Sequence, residues 1–162
     1  MAEIILSNRM QALTDMVTPG TVITDVGCDH GFVSVYLVQK GISPRVIAMD
    51  VRSGPLEHAR EHIREYGLED RIETRLSDGL HSLKTGEAAG MICAGMGGPL
   101  MEKILTEGRE QAKGFRELIL QPQSEIPHFR TFLMEEGYLL MDENIILSLI
   151  HISEPTRRRG IS

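Results

Sequence analysis

The chain has 162 residues, enough for one compact domain, and its 41% apolar and 25% charged residues give the balance of an ordinary soluble protein. Apolar runs such as residues 145–150 (IILSLI) are too short to span a bilayer, and the N-terminal MAEIILSNRM lacks the long apolar core of a signal peptide. The net charge is −6, more acidic still outside the three arginines near the C-terminus, which argues against a broad basic face for nucleic acid.

Residues 4–17 repeat Leu6, Met10, Leu13 and Val17 at helical spacing, with Ser7 as a plausible N-cap and Pro19-Gly20 as a stop. Residues 21–27 (TVITDVG) form a β-branched run that predicts a strand. The next helix is predicted over 31–41, closed by Gly41. Residues 45–51 (RVIAMDV) predict a second strand, and 53–67 a helix with Pro55 near its first turn and Gly67 past its end. A third strand and turn are expected over 71–79, a fourth strand over 88–98 and a helix over 99–113. The fifth strand, 116–122, stops at proline; a helix imperfect around Pro127 follows over 124–137, and residues 138–150 begin a sixth strand.

Apolar strands alternating with helices predict an α/β, Rossmann-like domain, mostly parallel, with helices on both faces of the sheet. It is expected to cover residues 1–150, preceded by the N-terminal helix. Residues 151–162 (HISEPTRRRGIS) have no periodicity and read as a non-native or disordered tail, like vector read-through.

In such sheets ligands bind beyond the carboxyl ends of the strands, at the switch point. Four strand ends here carry small or acidic residues: GCDHG (27–31), Met49-Asp50, SDGL (77–80), and AGMGG (94–98). GCDHG has aspartate where a phosphate-binding loop presents glycine. Two unit charges at about 4 Å and surface-like dielectric interact by about 4 kcal/mol, so Asp29 repels the phosphates of NAD, FAD or ATP. It suits S-adenosylmethionine, which carries a sulfonium and an ammonium and no phosphate. The competing role for Asp29 is a cap on the next helix.

Asp50 follows the loop by about 20 residues, where an acid accepts ribose hydroxyls, or it caps the helix beginning near Ser53. Asp78 offers a carboxylate to an adenine amine, unless Ser77-Asp78-Gly79 is only a turn. The glycines of 94–98 permit close backbone approach to a ligand or simply make a tight turn. Gln121-Pro122 would shape the far wall. His58, His62, His81, His128 and His151 read as solvated, and neither a metal site nor a triad order is evident. Cys28 and Cys93 lack ligand spacing and are expected to be free thiols in a reducing cytoplasm.

The segments LSNRM, ITDVGCDHG, VIAMD, LSDGL, ICAGMGG and LILQP occur in this order, and together they resemble the bacterial TrmK family over about residues 4–146. That family comprises tRNA (adenine-N1)-methyltransferases acting at tRNA position 22. The resemblance implies an S-adenosylmethionine-dependent methyltransferase with tRNA as its partner; no membrane and no metal are expected from the residues, and the oligomeric state is left open, with a monomer favoured. The resemblance places the cofactor at Gly27, Cys28, Asp29, His30, Gly31, Asp50, Val51, Ser77, Asp78, Gly79, Ala94, Gly95 and Met96. It places the substrate at Arg9, Gly97, Gly98, Gln121 and Pro122, with Ser7 and Arg9 near the cofactor mouth.

Asp29 is the catalytic candidate, a carboxylate able to stabilise the positive charge left on a methylated base. His30 could orient it, and carbonyls of residues 95–97 could accept from the base amine. Relatives continue into a seventh, antiparallel strand and a helical domain. The final antiparallel strand is therefore expected to be missing here, leaving the sixth strand, about 138–146, as an unpaired edge. Two alternatives are kept: a nicotinamide-dependent oxidoreductase, and a non-catalytic cofactor-binding remnant.

Overall fold

The computed structural model describes residues 4–143 and 147–151, with residue 143 and the last strand by backbone alone. The N-terminal helix α1 (Asn8–Asp15) starts at Ser7, whose hydroxyl accepts from the Met10 N–H at 3.3 Å, the expected N-cap. β1 (Ile23–Val26), β2 (Val46–Asp50) and β3 (Ile72–Leu76) follow, connected by α2 (Phe32–Gln39) and α3 (Ser53–Glu65). β4 (Gly90–Met96) and β5 (Glu117–Pro122) complete the parallel set, and α6 (Ile126–Glu135) leads to β6 (Tyr138–Glu143).

The helix expected over 99–113 is two: α4 (Gly98–Glu107) and α5 (Arg109–Ala112). The break lies at Gly108, where a Cβ would stand 2.7 Å from Leu80 Cδ1 and 3.0 Å from the Ile104 carbonyl. Pro127 does not interrupt α6 but sits in its first turn, where its missing N–H costs nothing.

The strand order is β3-β2-β1-β4-β5-β7-β6. β1 pairs in parallel with both β2 and β4, so the chain reverses its direction of travel across the sheet between those two neighbours. This is the switch point of a Rossmann-like sheet. Helices α1–α3 cover one face around Leu13, Val35, Leu37, Leu56 and Ile63; α4–α6 cover the other around Met101, Leu105, Phe129 and Leu133. β1, β2 and β5 are buried throughout, as a sheet covered on both faces requires.

The expectation of a missing antiparallel strand is corrected. β7 (Leu147–His151) runs antiparallel between β5 and β6, pairing Leu118 with Leu149 and Leu139 with Ile150. The apolar run IILSLI therefore does not continue the sixth strand but supplies most of a seventh. β6 is no unpaired replacement for it; it is the edge of the sheet outside it. Of the expected tail, His151 is the last residue of β7, and the rest lies outside the described residues.

Candidate functional site

β1 runs out of the core into a loop of alternating hand. Gly27, Asp29 and Gly31 have φ of 75°, 54° and 80°. This alternation explains the spacing of GCDHG, because left-handed backbone favours glycine and tolerates aspartate best among charged residues. A Cβ at Gly27 would lie 2.5 Å from Met96 Cε, the movable end of a flexible side chain, so it is the φ of 75° that favours glycine there. The amides of Gly27 and Cys28 both donate to the Met49 carbonyl, at 2.8 and 2.9 Å, folding the loop over the end of β2.

Asp50 ends β2 and is almost fully buried. Its Oδ2 accepts the Asp29 N–H at 3.0 Å and its Oδ1 accepts the Arg52 N–H at 2.9 Å. One carboxylate thus holds the loop tip and the start of α3 together, and each oxygen keeps a further lone pair. Asp29 is not a helix cap: α2 begins at Gly31 with no side-chain cap. Its carboxylate is more than half exposed, 3.8 Å from the Arg52 guanidinium and 3.9 Å from His30 Nε2. The His30 separation is too long for a hydrogen bond, so His30 does not orient it in the expected way.

A cavity of about 850 Å³ opens above these strand ends, within the range of cofactor sites. It brings together Ser7, Arg9, Gly27, Cys28, Asp29, His30, Asp50, Val51, Ser77, Asp78, Gly79, Ala94, Gly95, Met96 and Gln121 of the expected residues. A bulge between Ala94 and Met96 in the β4–β5 pairing, with Gly95 at φ 79°, turns this strand end toward the cavity.

Four expected residues do not line it. Gly31 packs against α3 instead, where a Cβ would meet Ala59 Cβ at 3.0 Å. Gly97 and Gly98 make room for the loop after β5: a Cβ would stand 2.7 Å from Ser124 Oγ at the first and 2.6 Å from the Ser124 carbonyl at the second. Pro122 is buried behind the wall. The Met96 carbonyl, one of the acceptors expected for a base amine, already accepts the Gln123 N–H at 2.8 Å. The Ser77 hydroxyl is likewise committed, donating to the Gly79 carbonyl and accepting the Ser82 N–H.

The main residue missed by the sequence reading is Asp25, inside β1 and lining the cavity floor. Its carboxylate accepts the Ser34 hydroxyl at 2.8 Å. Burial raises its pKa to about 6; the Ser34 bond opposes this, and the charges of Asp50 and Asp29 add to it. Met10, Leu13 and Leu100 were missed too, as ordinary apolar helix positions, yet they line the mouth. His62 is not simply solvated: its Nδ1–H donates to the His30 carbonyl at 2.7 Å and its ring stacks on Phe32 at 4.5 Å. Cys28 and Cys93 are free and buried, and burial pushes the Cys93 thiol up to about 12. Asp78, His81 and Glu107 bring potential metal-ligand atoms within 4.8 Å of one another, but all three are exposed.

Acid-lined strand ends at the switch point, and an antiparallel strand inserted before the sheet edge, define a Rossmann-like methyltransferase domain. The family model described as Methyltransferase domain matches residues 6–152. A tRNA (adenine(22)-N(1))-methyltransferase of Bacillus subtilis is 37% identical over 90% of this chain, and the chain spans 61% of that relative's length. The crystal structure of the B. subtilis M1A22 tRNA methyltransferase TrmK is 31% identical, with a TM-score of 0.85 over 99% of this chain and 72% of that one. Streptococcus pneumoniae Sp1610 in complex with S-adenosyl-L-methionine superposes with a TM-score of 0.85 at 28% identity, covering 96% of this chain and 78% of that one. The chain belongs to the methyltransferase-domain family and, within it, to the TrmK family.

Proposed function

We propose that this chain binds S-adenosylmethionine and methylates N1 of an adenine in tRNA, at position 22 by family membership, as a cytoplasmic monomer. The observation that carries the reading is the set of three carboxylates, Asp25, Asp29 and Asp50, in one cavity at the switch point. A phosphate-bearing cofactor would meet repulsion there that the single Arg52 guanidinium, 3.8 Å from Asp29 and 3.6 Å from Asp50, offsets only in part, whereas a sulfonium and an ammonium find attraction. The B. subtilis relative, a tRNA (adenine(22)-N(1))-methyltransferase, supports the same activity.

Asp50 would hold the ribose hydroxyls with its remaining lone pairs, and Asp78 the adenine amine, with Val51 beside the ring. Asp25 and Asp29 face the cationic end. When bound, the cofactor supplies a methyl group already activated for transfer. The chain's own tasks are alignment and exclusion of water. Neutral adenine N1 has a free lone pair, so no base is needed to deprotonate it. N1 lies on the pairing edge, so the base must enter the site unpaired or flipped. Arg9, exposed at the mouth on α1, is placed to meet the RNA backbone. Asp29 stabilises the charge that methylation leaves on the base.

Transfer of labelled methyl from S-adenosylmethionine to unmodified tRNA tests this. The expected product stops reverse transcription at one adenine, because N1 methylation blocks pairing. S-adenosylhomocysteine should raise the melting temperature and NADH should not. Absence of label in tRNA, or stabilisation by NADH alone, would sink the proposal.

A further inference from the structure

Gln121 is a buried cavity residue whose chemistry is left unspent. It lies near the end of β5, opposite Ala94 of β4, and is 5% exposed. Other buried polar groups around the site are satisfied: Asp25 by Ser34, Asp50 by two backbone amides, Ser77 within its own turn. The Gln121 side-chain amide has no hydrogen-bond partner among the described residues. Nor is it sealed in the core: among the described residues, the one side-chain polar atom that is fully enclosed and unpartnered is Ser43 Oγ. The amide therefore opens on the cavity that Gln121 lines. A buried amide without a partner is costly, and a bound ligand would satisfy it.

Its position says which ligand. Along the strand ends the order is Asp50 on β2, Asp29 after β1, Gly95 on β4 and Gln121 on β5. Adjacent strands are about 4.8 Å apart, so β5 lies roughly 14 Å from β2. An adenosyl group held at Asp50 leaves the β5 end for the second substrate. Around Gln121 the cavity is lined by Ala94, Gly95, Met96 and, from α4, Leu100, none of them charged. That end suits a flat, neutral ring.

We propose that Gln121 is the specificity-determining residue that reads the target base as adenine through its N6/N7 edge. This rests on the methyltransferase reading above. A glutamine amide presents one donor and one acceptor side by side. Adenine offers the matching acceptor at N7 and donor at N6, while guanine offers two acceptors there. Gripped by that edge, adenine keeps N1 free to receive the methyl group. No residue of the carboxylate end makes this distinction.

The test uses the full chain and tRNA carrying adenine or 7-deazaadenine at the target position, with Gln121→Ala and Gln121→Glu as variants. The unaltered chain should lose about tenfold or more in kcat/KM on 7-deazaadenine, which lacks the N7 acceptor. Gln121→Ala should lose about as much on adenine and no longer tell the two RNAs apart. Gln121→Glu, which lacks the amide donor, should do the same. S-adenosylhomocysteine affinity should stay within about twofold in both variants, which also reports that they fold. Variants that still discriminate, or that lose cofactor affinity instead, overturn the inference. If the unaltered chain binds cofactor but methylates no tRNA adenine, the methyltransferase reading falls, and this inference with it.

Discussion

The two ends of the cavity recognise by different physics. The β1–β2 end is charged and tied down: Asp25 and Asp50 are buried, and Asp50 holds two backbone amides. The β4–β5 end is uncharged and built by close backbone packing, with Gly97 and Gly98 against Ser124 and an unpartnered Gln121 amide. A cation is attracted from any approach to a cluster of carboxylates, so the first end needs charge more than shape. A neutral base offers only shape and a few hydrogen bonds, so the second needs exact wall positions more than charge. Changes at Asp50 and Asp25 should therefore act on cofactor affinity and changes at the second end on turnover, while Asp29, at the loop tip facing both the cofactor's cationic end and the base, should act on turnover.

The largest expected effect is at Asp50. Asp50→Ala removes the acceptor of the Asp29 and Arg52 amides and two candidate bonds to the ribose. Charge-assisted hydrogen bonds are worth about 1.5–3 kcal/mol each. S-adenosylhomocysteine affinity should fall by about 100-fold, with a lower melting temperature, as read by calorimetry and thermal melts. An unchanged dissociation constant removes Asp50 from the binding site.

Gly98→Ala probes the opposite end. The new Cβ would fall 2.6 Å from the Ser124 carbonyl, a backbone atom with no rotamer to escape by. The loop after β5 must shift, at a cost of about 1–3 kcal/mol. Methyl transfer should drop about tenfold while cofactor affinity stays within about twofold. A loss confined to cofactor affinity would break the division between the two ends.

Asp29 separates charge from conformation. Its φ of 54° is one glycine adopts without strain. Asp29→Gly keeps the N–H that binds Asp50 and relieves about 1 kcal/mol of left-handed strain. The melting temperature should hold or rise slightly, while methyl transfer falls several-fold. A variant that melts early yet transfers normally per folded molecule would make Asp29 a purely structural residue.

These contrasts show what could be read from the sequence and what could not. The parallel strands were legible because most are apolar or β-branched runs stopped by glycine, an acid or proline. β7 was not, because IILSLI reads equally well as the continuation of β6. GCDHG stood out as a candidate ligand loop because aspartate contradicts the ordinary pattern, and Gly27 to His30 line the cavity. Gly97 and Gly98 misled for the converse reason: glycine admits a ligand or a neighbouring backbone, and sequence does not say which. Asp25 escaped because it is a single acid inside a β-branched run, and its importance comes from facing Ser34 and Asp50 across the fold.

Asp25 gives the smallest and most diagnostic effect. Burial raises its pKa from 3.8 to about 6, against the Ser34 hydrogen bond and with the charges of Asp50 and Asp29. An acid raised on folding costs stability wherever it must ionise. The cost is absent below about pH 4, grows as pH rises toward 6 and is complete above it. Glu87 has the opposite sign: the Arg75 guanidinium holds it at about 2, so its contribution is full above about 4.5 and is lost as pH falls toward 2. An ammonium brought to the cavity floor favours ionised Asp25, so ligand binding should release a proton near pH 5–6. S-adenosylhomocysteine affinity should then climb between pH 5 and 7, by at most tenfold per pH unit. Asp25→Asn should flatten that slope and remove the rise in folding cost between pH 4 and 6, while leaving the Glu87 transition in place. Titration calorimetry across that range, in buffers of different ionisation enthalpy, reads both proton release and affinity. A slope that survives Asp25→Asn would assign the proton to another group, and the charged end of the cavity would then owe its pH response to something other than its buried floor.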